Sequence, residues 1–150
     1  MPDNAPVTIR PIEERDEAQW RTLWTGYLRF YGANVSEDVY AMTFARLLSD
    51  DPWMPSGFLA VADGRAVGLV HYLYHAHCWR TERVCYLQDL FADPGMRGRG
   101  VGRALIKAVY EQADRDGAPS VYWLTQDHNS EARKLYDRIA SVTPFIKYQR

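Results

Sequence analysis

The sequence contains few of the features that mark secreted, membrane-bound or zinc-binding proteins. Two cysteines, Cys78 and Cys85, occur in 150 residues, too few for a disulfide framework, and no Cys-x-x-Cys spacing is present for zinc. We expect reduced thiols, although a cross-strand bridge is geometrically conceivable. No apolar run approaches the roughly 20 residues of a membrane-spanning helix. Residues 1–4 show no basic segment followed by an apolar one, so we expect a cytoplasmic protein without a signal peptide.

An excess of positive charge is also missing. Lys and Arg total 18 and Asp and Glu total 19, for a formal net charge of -1, whereas nucleic-acid binders derive most of their affinity from surplus positive charge. The sequence therefore predicts no nucleic-acid partner, and the lack of a long apolar run predicts no membrane partner. With 47% hydrophobic residues and no repeated or linker-like stretch, it predicts one domain over residues 1–150.

Apolar periodicity predicts an α/β domain with a mixed central sheet flanked by helices. Apolar residues three and four positions apart predict helices, and short apolar runs bounded by Gly, Pro and Asp predict strands. The predicted order is β-α-α-β-β-β-α-β-α-β, with Asp63-Gly64 as a hairpin turn. The predicted strands cover residues 7–10, 57–62, 66–74, 83–92, 121–124 and 144–148, and the helices cover residues 20–31, 36–50, 101–116 and 129–140.

The most informative segment joins the predicted strand 83–92 to the next helix. Glycine lacks a Cβ, so its backbone can adopt positive φ and approach a ligand closely. The first turn of a helix adds unpaired N–H groups and the positive end of the helix dipole, which favour a phosphate. Three arginines add positive charge, and a diphosphate best matches this combination. The segment consists of Arg97, Gly98, Arg99, Gly100, Val101, Gly102 and Arg103.

Two common phosphate-binding motifs are absent from this segment. The P-loop Gly-x-x-x-x-Gly-Lys-Ser/Thr lacks its Lys and Ser/Thr, and the dinucleotide fingerprint Gly-x-Gly-x-x-Gly would require glycine at Arg103. A tight connection between strand and helix is the structural alternative. Because one glycine would serve that purpose and three destabilise a helix start, ligand binding explains the segment better.

Three segments together carry a family resemblance. Arg97-x-x-Gly100-x-Gly102 resembles the acetyl-CoA motif Arg/Gln-x-x-Gly-x-Gly/Ala of the GNAT superfamily of N-acetyltransferases. Tyr86–Phe91 is similar to the strand that precedes this motif, and Asn129-x-x-Ala132-x-x-Leu135-Tyr136 is similar to a later helix. The three segments are most similar to the diamine/histone-lysine acetyltransferase branch, and the predicted element order is also that of the superfamily.

The resemblance implies acetyl-CoA as co-substrate and no metal. Backbone amides from Arg97 to Arg103 would cradle the pyrophosphate of CoA. The backbone of Leu90, Phe91 and Ala92 would hydrogen-bond the pantetheine arm as if it were an added strand. Asn129 would contact the pantetheine or adenosine side while it caps its helix.

The resemblance also implies a general acid but leaves the base open. Tyr136 would face the thioester sulfur as acid, whereas the residues alone favour a core aromatic. An amine with a pKa of ~10.4 must lose a proton before it attacks. The branch has glutamate where this sequence has Gln88, which cannot accept that proton, and the adjacent Asp89 is either catalytic or structural. Further base candidates are His71, His75 and His77, with Glu82 and His128 as outside candidates.

Aromatic residues mark the expected acceptor side. Tyr27 and Tyr31 end the first helix, where the family places its acceptor-binding loop, and Trp79 lies in a turn near the same cleft. As a group they could cage an alkylammonium by cation–π contact, with Gln88 as a further acceptor contact. Core packing is the alternative for any single residue.

We therefore expect an N-acetyltransferase that moves the acetyl group of acetyl-CoA directly to a primary amine, on a small molecule or a lysine side chain, in a ternary complex. The alternative is a catalytically weak CoA-binding regulatory module of the same fold, suggested by Gln88. The last predicted strand, about Pro144 to Tyr148, would lie at a sheet edge. Relatives of the fold commonly dimerise through such elements, so we expect a homodimer.

Overall fold

A five-stranded mixed sheet forms the centre of residues 5–150, the part of the chain that this computed structural model describes. Residues 1–4, where the sequence predicts no signal segment, lie outside the described residues. Neighbouring strands follow chain order, and all pairs are antiparallel except the last, which is parallel. The strands are β1 (Val7–Pro11), β2 (Ser56–Ala62), β3 (Arg65–His75), β4 (Val84–Ala92) and β5 (Val121–Tyr122).

Helices cover both faces of this sheet. They are α1 (Glu17–Phe30), α2 (Glu37–Leu47), α3 (Val101–Arg115) and α4 (Ser130–Ile139). On one face, α1 and α2 pack around Trp20, which is completely buried. On the other face, α3 buries Leu105 and Val109 at helical spacing, and α4 packs Leu135 against the same core. The predicted α/β class with a mixed, helix-flanked sheet is confirmed.

An extra residue in β4 interrupts its pairing with β3. His71 lies opposite Asp89, but the next pair is Tyr72 with Leu87, so Gln88 is a β-bulge residue. Leu87 belongs to the core beneath α3, and a regular strand would turn Asp89, two residues later, to that same side. The bulge turns Asp89 to the other face, beside α1. The single extra residue Gln88 therefore determines that the Asp89 carboxylate lies on the α1 side of the sheet and not on the α3 side.

The two strands β4 and β5 separate after only two residue pairs. Their parallel ladder ends at the pair Tyr86–Tyr122, so the predicted strand over residues 121–124 was two residues too long. β4 continues over residues 87–92, paired with β3 on one edge. No strand of the described chain lies on its other edge.

The prediction of a last strand over Pro144–Tyr148 was wrong for the single chain. These residues form no strand, and Phe145, Ile146 and Tyr148 are 82%, 75% and 88% exposed. A strand needs a neighbour that pairs its peptide groups and a surface that covers its apolar side chains. Nothing in residues 5–150 offers this segment a ladder.

The two cysteines differ in exposure. Cys78 is exposed and Cys85 is buried, and both are free thiols, as expected. None of the helices in the described part is long and apolar enough to cross a membrane. Within the same residues, no group of three or more His, Cys, Asp or Glu side chains is arranged to hold a metal ion.

A buried ion pair fixes the start of α1 against β1. Asp16 is 5% exposed and accepts two hydrogen bonds from Arg10, at 2.7 and 2.8 Å. It accepts a third from the Glu13 backbone N–H at 2.7 Å. The bonds from Arg10 hold the pKa of the Asp16 carboxyl below its ordinary value.

Replacing Asp16 by Asn should lower the free energy of unfolding at pH 7 by about 1–3 kcal/mol, because Arg10 loses its charged partner. A carboxyl with a lowered pKa stabilises the fold above its ordinary pKa of ~3.9 and loses that contribution as the pH falls through the lowered value. The difference in the free energy of unfolding between the wild type and Asp16→Asn should therefore shrink at acid pH. Urea unfolding at pH 7 and at a pH below ~3.9 measures this difference. Glu131→Gln, which removes an exposed pair with Lys134, is the control and should change the free energy by less than about 0.5 kcal/mol. Equal losses in the two variants would contradict the role of the buried pair.

Candidate active site

The unpaired edge of β4 presents backbone hydrogen-bonding groups at the gap beside β5. Along residues 87–92, the peptide groups that do not pair with β3 face this gap. Leu90, Phe91 and Ala92 are half-buried, so the edge is sheltered but accessible. Such an edge can pair with an extended ligand that carries amide groups. The three residues predicted to bind pantetheine therefore lie on a suitable edge.

The loop after β4 supplies a second set of donors. Gly98 and Gly100 have φ of 78° and 74°, and a Cβ at either position would meet no atom within 4 Å. Both glycines therefore serve the left-handed backbone and not close packing. The first hydrogen bond at the start of α3 runs from the Ala104 N–H to the Gly100 carbonyl at 3.0 Å. The N–H groups of Val101–Arg103 precede it and have no partner within the helix. A helix start with free N–H groups of this kind can bind an anion.

Two of the predicted phosphate donors are occupied by the protein itself. The N–H of Arg97 donates to the Pro94 carbonyl at 3.4 Å, and the N–H of Arg99 donates to the Met96 carbonyl at 3.3 Å. The Arg99 guanidinium donates to the Ala5 carbonyl at 2.9 Å, so it braces the N-terminal segment. The side chains of Arg97 and Arg103 are exposed. The groups that remain available to bind a phosphate are therefore the glycine backbone, the N–H groups of the first turn of α3, and the side chains of Arg97 and Arg103.

The start and the buried face of α4 carry two more predicted residues. Asn129 caps the helix, because its Oδ1 accepts the Ala132 N–H at 3.4 Å. Tyr136 packs edge-on against Trp123, with ring centroids 5.3 Å apart. Burial raises the pKa of Tyr136 to about 12, with a smaller contribution from the nearby Tyr31. The phenol is therefore protonated at neutral pH and can donate a proton.

Several tyrosines surround Asp89 on the α1 face. The rings of Tyr27 and Tyr31 lie 5.1 Å apart, and Tyr86 stacks on Tyr122 at 4.9 Å. Burial, and then the charge of Asp89, raises the pKa of Tyr27, Tyr31 and Tyr86. All three phenols therefore lie close enough to Asp89 for its negative charge to affect their pKa. The structure thus brings the predicted residues Tyr27, Tyr31 and Asp89 together.

Asp89 itself accepts hydrogen bonds from side chains of β3 and α1. Its Oδ2 accepts from His71 Nδ1 at 2.8 Å and from Trp24 Nε1 at 3.4 Å, and the Tyr27 phenol also interacts with the carboxyl. Burial alone would raise the pKa of Asp89, but these bonds, chiefly the one from His71, hold it below the ordinary value. A carboxylate so stabilised is a weak base and a strong source of negative charge.

The three histidines of the predicted base set have different environments. His71 is buried, and both of its ring nitrogens are used, by Asp89 and by Trp20. His77 Nδ1 accepts the Trp79 backbone N–H at 3.1 Å in an exposed turn. His75 Nδ1 donates to the Ala76 carbonyl, which leaves Nε2 to accept from the Tyr122 hydroxyl at 2.8 Å. Both ring nitrogens of His75 are therefore used within the protein, as those of His71 are.

Two predicted acceptor contacts are less closely connected to this cluster. Gln88 is exposed at the bulge of β4. Trp79 is 83% exposed and contacts the His77 ring at 5.4 Å, and in the described chain no aromatic contact joins it to Tyr27 or Tyr31. The predicted cage therefore consists of tyrosines without Trp79.

Sequence reasoning did not identify four polar partners in the site, namely Trp20, Trp24, Tyr86 and Tyr122. The two tryptophans belong to the apolar stripe of α1, which gives a burial signal but no functional one. A useful signal was available, since an indole carries one N–H that needs an acceptor when it is buried.

Comparison with known proteins decides the family. A family model for the acetyltransferase (GNAT) family matches residues 18–140. The chain belongs to the GNAT acetyltransferase family. It is 39% identical over 150 residues to the D-amino-acid N-acetyltransferase HPA3 of Saccharomyces cerevisiae, covering 98% of this chain and 92% of HPA3. It is 36% identical over 69 residues to the thialysine N-epsilon-acetyltransferase of Mus musculus, covering 46% of this chain and 39% of that protein.

Solved structures show the same fold. The aminoglycoside N-acetyltransferase AAC(6')-Iy in complex with CoA matches with a TM-score of 0.85 at 22% identity, covering 100% of this GNAT chain and 97% of that one. The predicted family and enzyme class, an N-acetyltransferase, are confirmed. The thialysine relatives are consistent with the predicted diamine/lysine branch.

The loop predicts a glycine-dependent response to acetyl-CoA. Acetyl-CoA should raise the melting temperature of the wild-type protein, and Gly100→Glu should abolish this rise because it adds a side chain and a negative charge beside the free N–H groups. Gly117→Glu is a matched control, since Gly117 has φ of 73° and open space at the other end of α3. Both variants should lose stability by roughly 1–2 kcal/mol from the left-handed backbone, but only Gly100→Glu should lose the ligand response.

Differential scanning fluorimetry with acetyl-CoA, ATP and NAD measures this response. An undiminished acetyl-CoA shift in Gly100→Glu would contradict the site, and a larger shift with ATP or NAD would contradict the choice of ligand.

Proposed function

We propose that this chain, as a single domain over residues 1–150, transfers the acetyl group of acetyl-CoA to a primary amine. The observation that carries the proposal is the unpaired β4 edge at residues 87–92, followed by free N–H groups at the start of α3. CoA has the matching chemistry, an extended arm with amide groups joined to a diphosphate. Asp89 and its tyrosines lie on the α1 face of the sheet, where they suit the amine.

The donor would be bound mostly by backbone groups. The N–H groups of Gly98 and of Gly100–Arg103 would bind the diphosphate, with Arg97 supplying further positive charge. Leu90–Ala92 would pair with the pantetheine arm, and Asn129 would contact it from the start of α4. These residues fit CoA because the backbone groups that face away from β3 and those at the start of α3 are not used by the fold.

A buried hydroxyl supports a ligand in the gap. Thr125 follows the last pair of the β4–β5 ladder, and its Oγ1 is buried without a hydrogen-bond partner in the described chain. Buried side-chain polar atoms in native proteins nearly always have a partner. An amide or carbonyl of the pantetheine arm would provide one.

The acceptor would enter on the α1 face, between Tyr27, Tyr31 and Gln88. A cationic amine matches the negative charge of Asp89, and the tyrosine faces can contact an alkylammonium. The names of the relatives suggest two acceptor classes, a D-amino acid for HPA3 and a lysine analogue for the thialysine enzymes. Both classes present a primary amine on a small molecule.

The buried thiol of Cys85 is a poor candidate for the nucleophile of an acyl-enzyme, which favours direct transfer. Burial raises the pKa of the Cys85 thiol to about 12, so little nucleophilic thiolate exists at neutral pH. In the proposed reaction the amine nitrogen attacks the acetyl carbon, the C–S bond breaks, and its electron pair leaves on sulfur. Tyr136 gives its proton to that sulfur, the amine nitrogen releases a proton to solvent, and solvent returns a proton to the Tyr136 phenolate.

A CoA-binding regulatory module is the second candidate, and Gln88 is the observation that favours it. The branch uses a glutamate at this place, and an amide cannot accept a proton. His71 does not compensate for the change, because both of its ring nitrogens are occupied.

An amine panel separates the two functions. Purified protein with acetyl-CoA is offered D-amino acids, thialysine, a diamine, an aminoglycoside and a lysine peptide, and the release of free CoA is followed together with the mass of the amine. An acetyltransferase produces an acetylated amine, and Gly100→Glu should not. If CoA release equals that of the amine-free control throughout, while acetyl-CoA still raises the melting temperature, the regulatory module is the correct function.

Tyr136→Phe tests the general acid. The change removes only a hydroxyl, so the fold and the dissociation constant of acetyl-CoA should stay nearly unchanged, while kcat should fall by about 10²–10⁴-fold. The loss would be smaller if the thiolate leaves unaided, as a thiol pKa of ~8.5 permits. Tyr110→Phe, which removes a part-buried hydroxyl bonded to the Ile139 carbonyl, is the control. A kcat within threefold of the wild type would make Tyr136 a packing residue.

We propose that two chains pair through the apolar C-terminal segment. Phe145, Ile146 and Tyr148 are exposed and unpaired in the single chain, and a partner would supply the missing neighbour. Light scattering at micromolar concentration should give twice the chain mass, and Ile146→Glu should give one chain mass. Gln149→Glu is the charge-matched control and should remain dimeric. A monomer mass for the wild type at every concentration would contradict the dimer.

A further inference from the structure

A line of buried polar side chains lies beneath the acceptor side. Trp20, His71 and Asp89 are 0%, 4% and 8% exposed. Trp20 Nε1 and His71 Nε2 are 2.9 Å apart, and His71 Nδ1 and Asp89 Oδ2 are 2.8 Å apart. The three groups come from α1, β3 and β4, so the line joins three elements of the fold.

The indole determines the protonation of the histidine. An indole N–H can only donate, so His71 Nε2 must carry a lone pair and accept. The ring proton of neutral His71 is then on Nδ1, which donates to Asp89. An imidazolium would carry a second proton on Nε2, directed at the indole N–H, so Trp20 disfavours the charged ring.

When His71 is neutral, the Asp89 carboxylate has no counter-charge. The groups that face the carboxyl are His71 from β3, Trp24, Tyr27 and Tyr31 from α1, and Tyr86 from β4. Among the described residues, no Lys or Arg pairs with it. A buried carboxylate without a cation is costly, and this one lies beside the bulge, where the proposed acceptor enters.

We propose that Trp20 is a positioning residue that holds His71 neutral, so that Asp89 presents an uncompensated negative charge to a cationic acceptor. The proposal rests on the proposed transfer to an amine. It deepens it by assigning the acceptor class, an amine that binds in its ammonium form. Without the hydrogen bond from Trp20, His71 would take a proton and form an ion pair with Asp89. The site would then lose its attraction for cations.

Trp20→Phe tests whether the indole N–H keeps His71 neutral, because the change keeps an aromatic ring and removes the N–H. The matched control is Trp24→Phe, one turn along α1, which removes an indole N–H from Asp89 but leaves Nε2 of His71 occupied. Nitrogen-15 NMR of the histidine rings gives the protonation of His71 from pH 6 to pH 9 without any turnover. His71 should stay in the neutral Nδ1–H form in the wild type and in Trp24→Phe, and should titrate in Trp20→Phe.

Kinetics test the consequence for the acceptor, using the amine of the panel with the highest turnover. In Trp20→Phe the KM for this amine should rise about tenfold at pH 6, the effect of cancelling one nearby charge, and should return toward the wild-type value at pH 9. The change in kcat should stay within threefold. Adding His71→Asn to Trp20→Phe should abolish the pH dependence of KM, because asparagine cannot titrate. A packing defect would not respond to that second change.

Each outcome decides the proposal. An imidazolium or an Nε2–H ring at His71 in the wild type would contradict the proposed role of Trp20. This NMR measurement on the wild type is decisive even if Trp20→Phe does not fold. A pH-independent KM in Trp20→Phe would overturn the link to the acceptor. If no amine in the panel is acetylated, the proposed function fails, whereas the NMR result still decides the state of His71.

Discussion

The parting of β4 from β5 is the constraint on which the rest of the site depends. Once the ladder ends at the Tyr86–Tyr122 pair, the peptide groups of residues 87–92 that face away from β3 have no strand to bind. Unpaired backbone groups in a sheltered place carry a free-energy cost. A ligand with amide groups removes that cost, and the α3 start continues the same path with anion-binding donors. We therefore infer that the gap fits an extended ligand with amide groups, whose anionic end would lie at the start of α3.

The bulge at Gln88 divides the chemistry between the two faces of the sheet. By turning Asp89 away from the α3 core, it places a carboxylate on the α1 face, where His71 and Trp24 donate hydrogen bonds to it. In the proposed reaction, backbone groups would bind the donor, and the charge of Asp89 and the tyrosine faces would bind the acceptor. This division would let one sheet bring an anionic CoA and a cationic amine together without mixing their binding groups.

Local patterns predicted the parts of the fold and site that are local. The glycine–arginine segment at residues 97–103 and the Asn129 cap are determined by neighbouring residues, and the structure has the loop and the cap. The buried line from Trp20 to Asp89 joins residues far apart in sequence, and the bulge is a matter of register, so neither produces a periodic signal. The strand expected at residues 144–148 has the right composition, but strand formation also needs a partner, which the single chain does not provide.

Hydrogen exchange in the presence of acetyl-CoA tests the central claim, that the open edge of β4 is a binding edge. The claim predicts that saturating acetyl-CoA slows amide exchange in residues 87–92 and 98–103 and leaves α2 unchanged. Slowed exchange at residues 98–103 alone would mean that the diphosphate binds and the arm lies elsewhere. Unchanged exchange at residues 87–92 in a fully occupied protein would contradict the account.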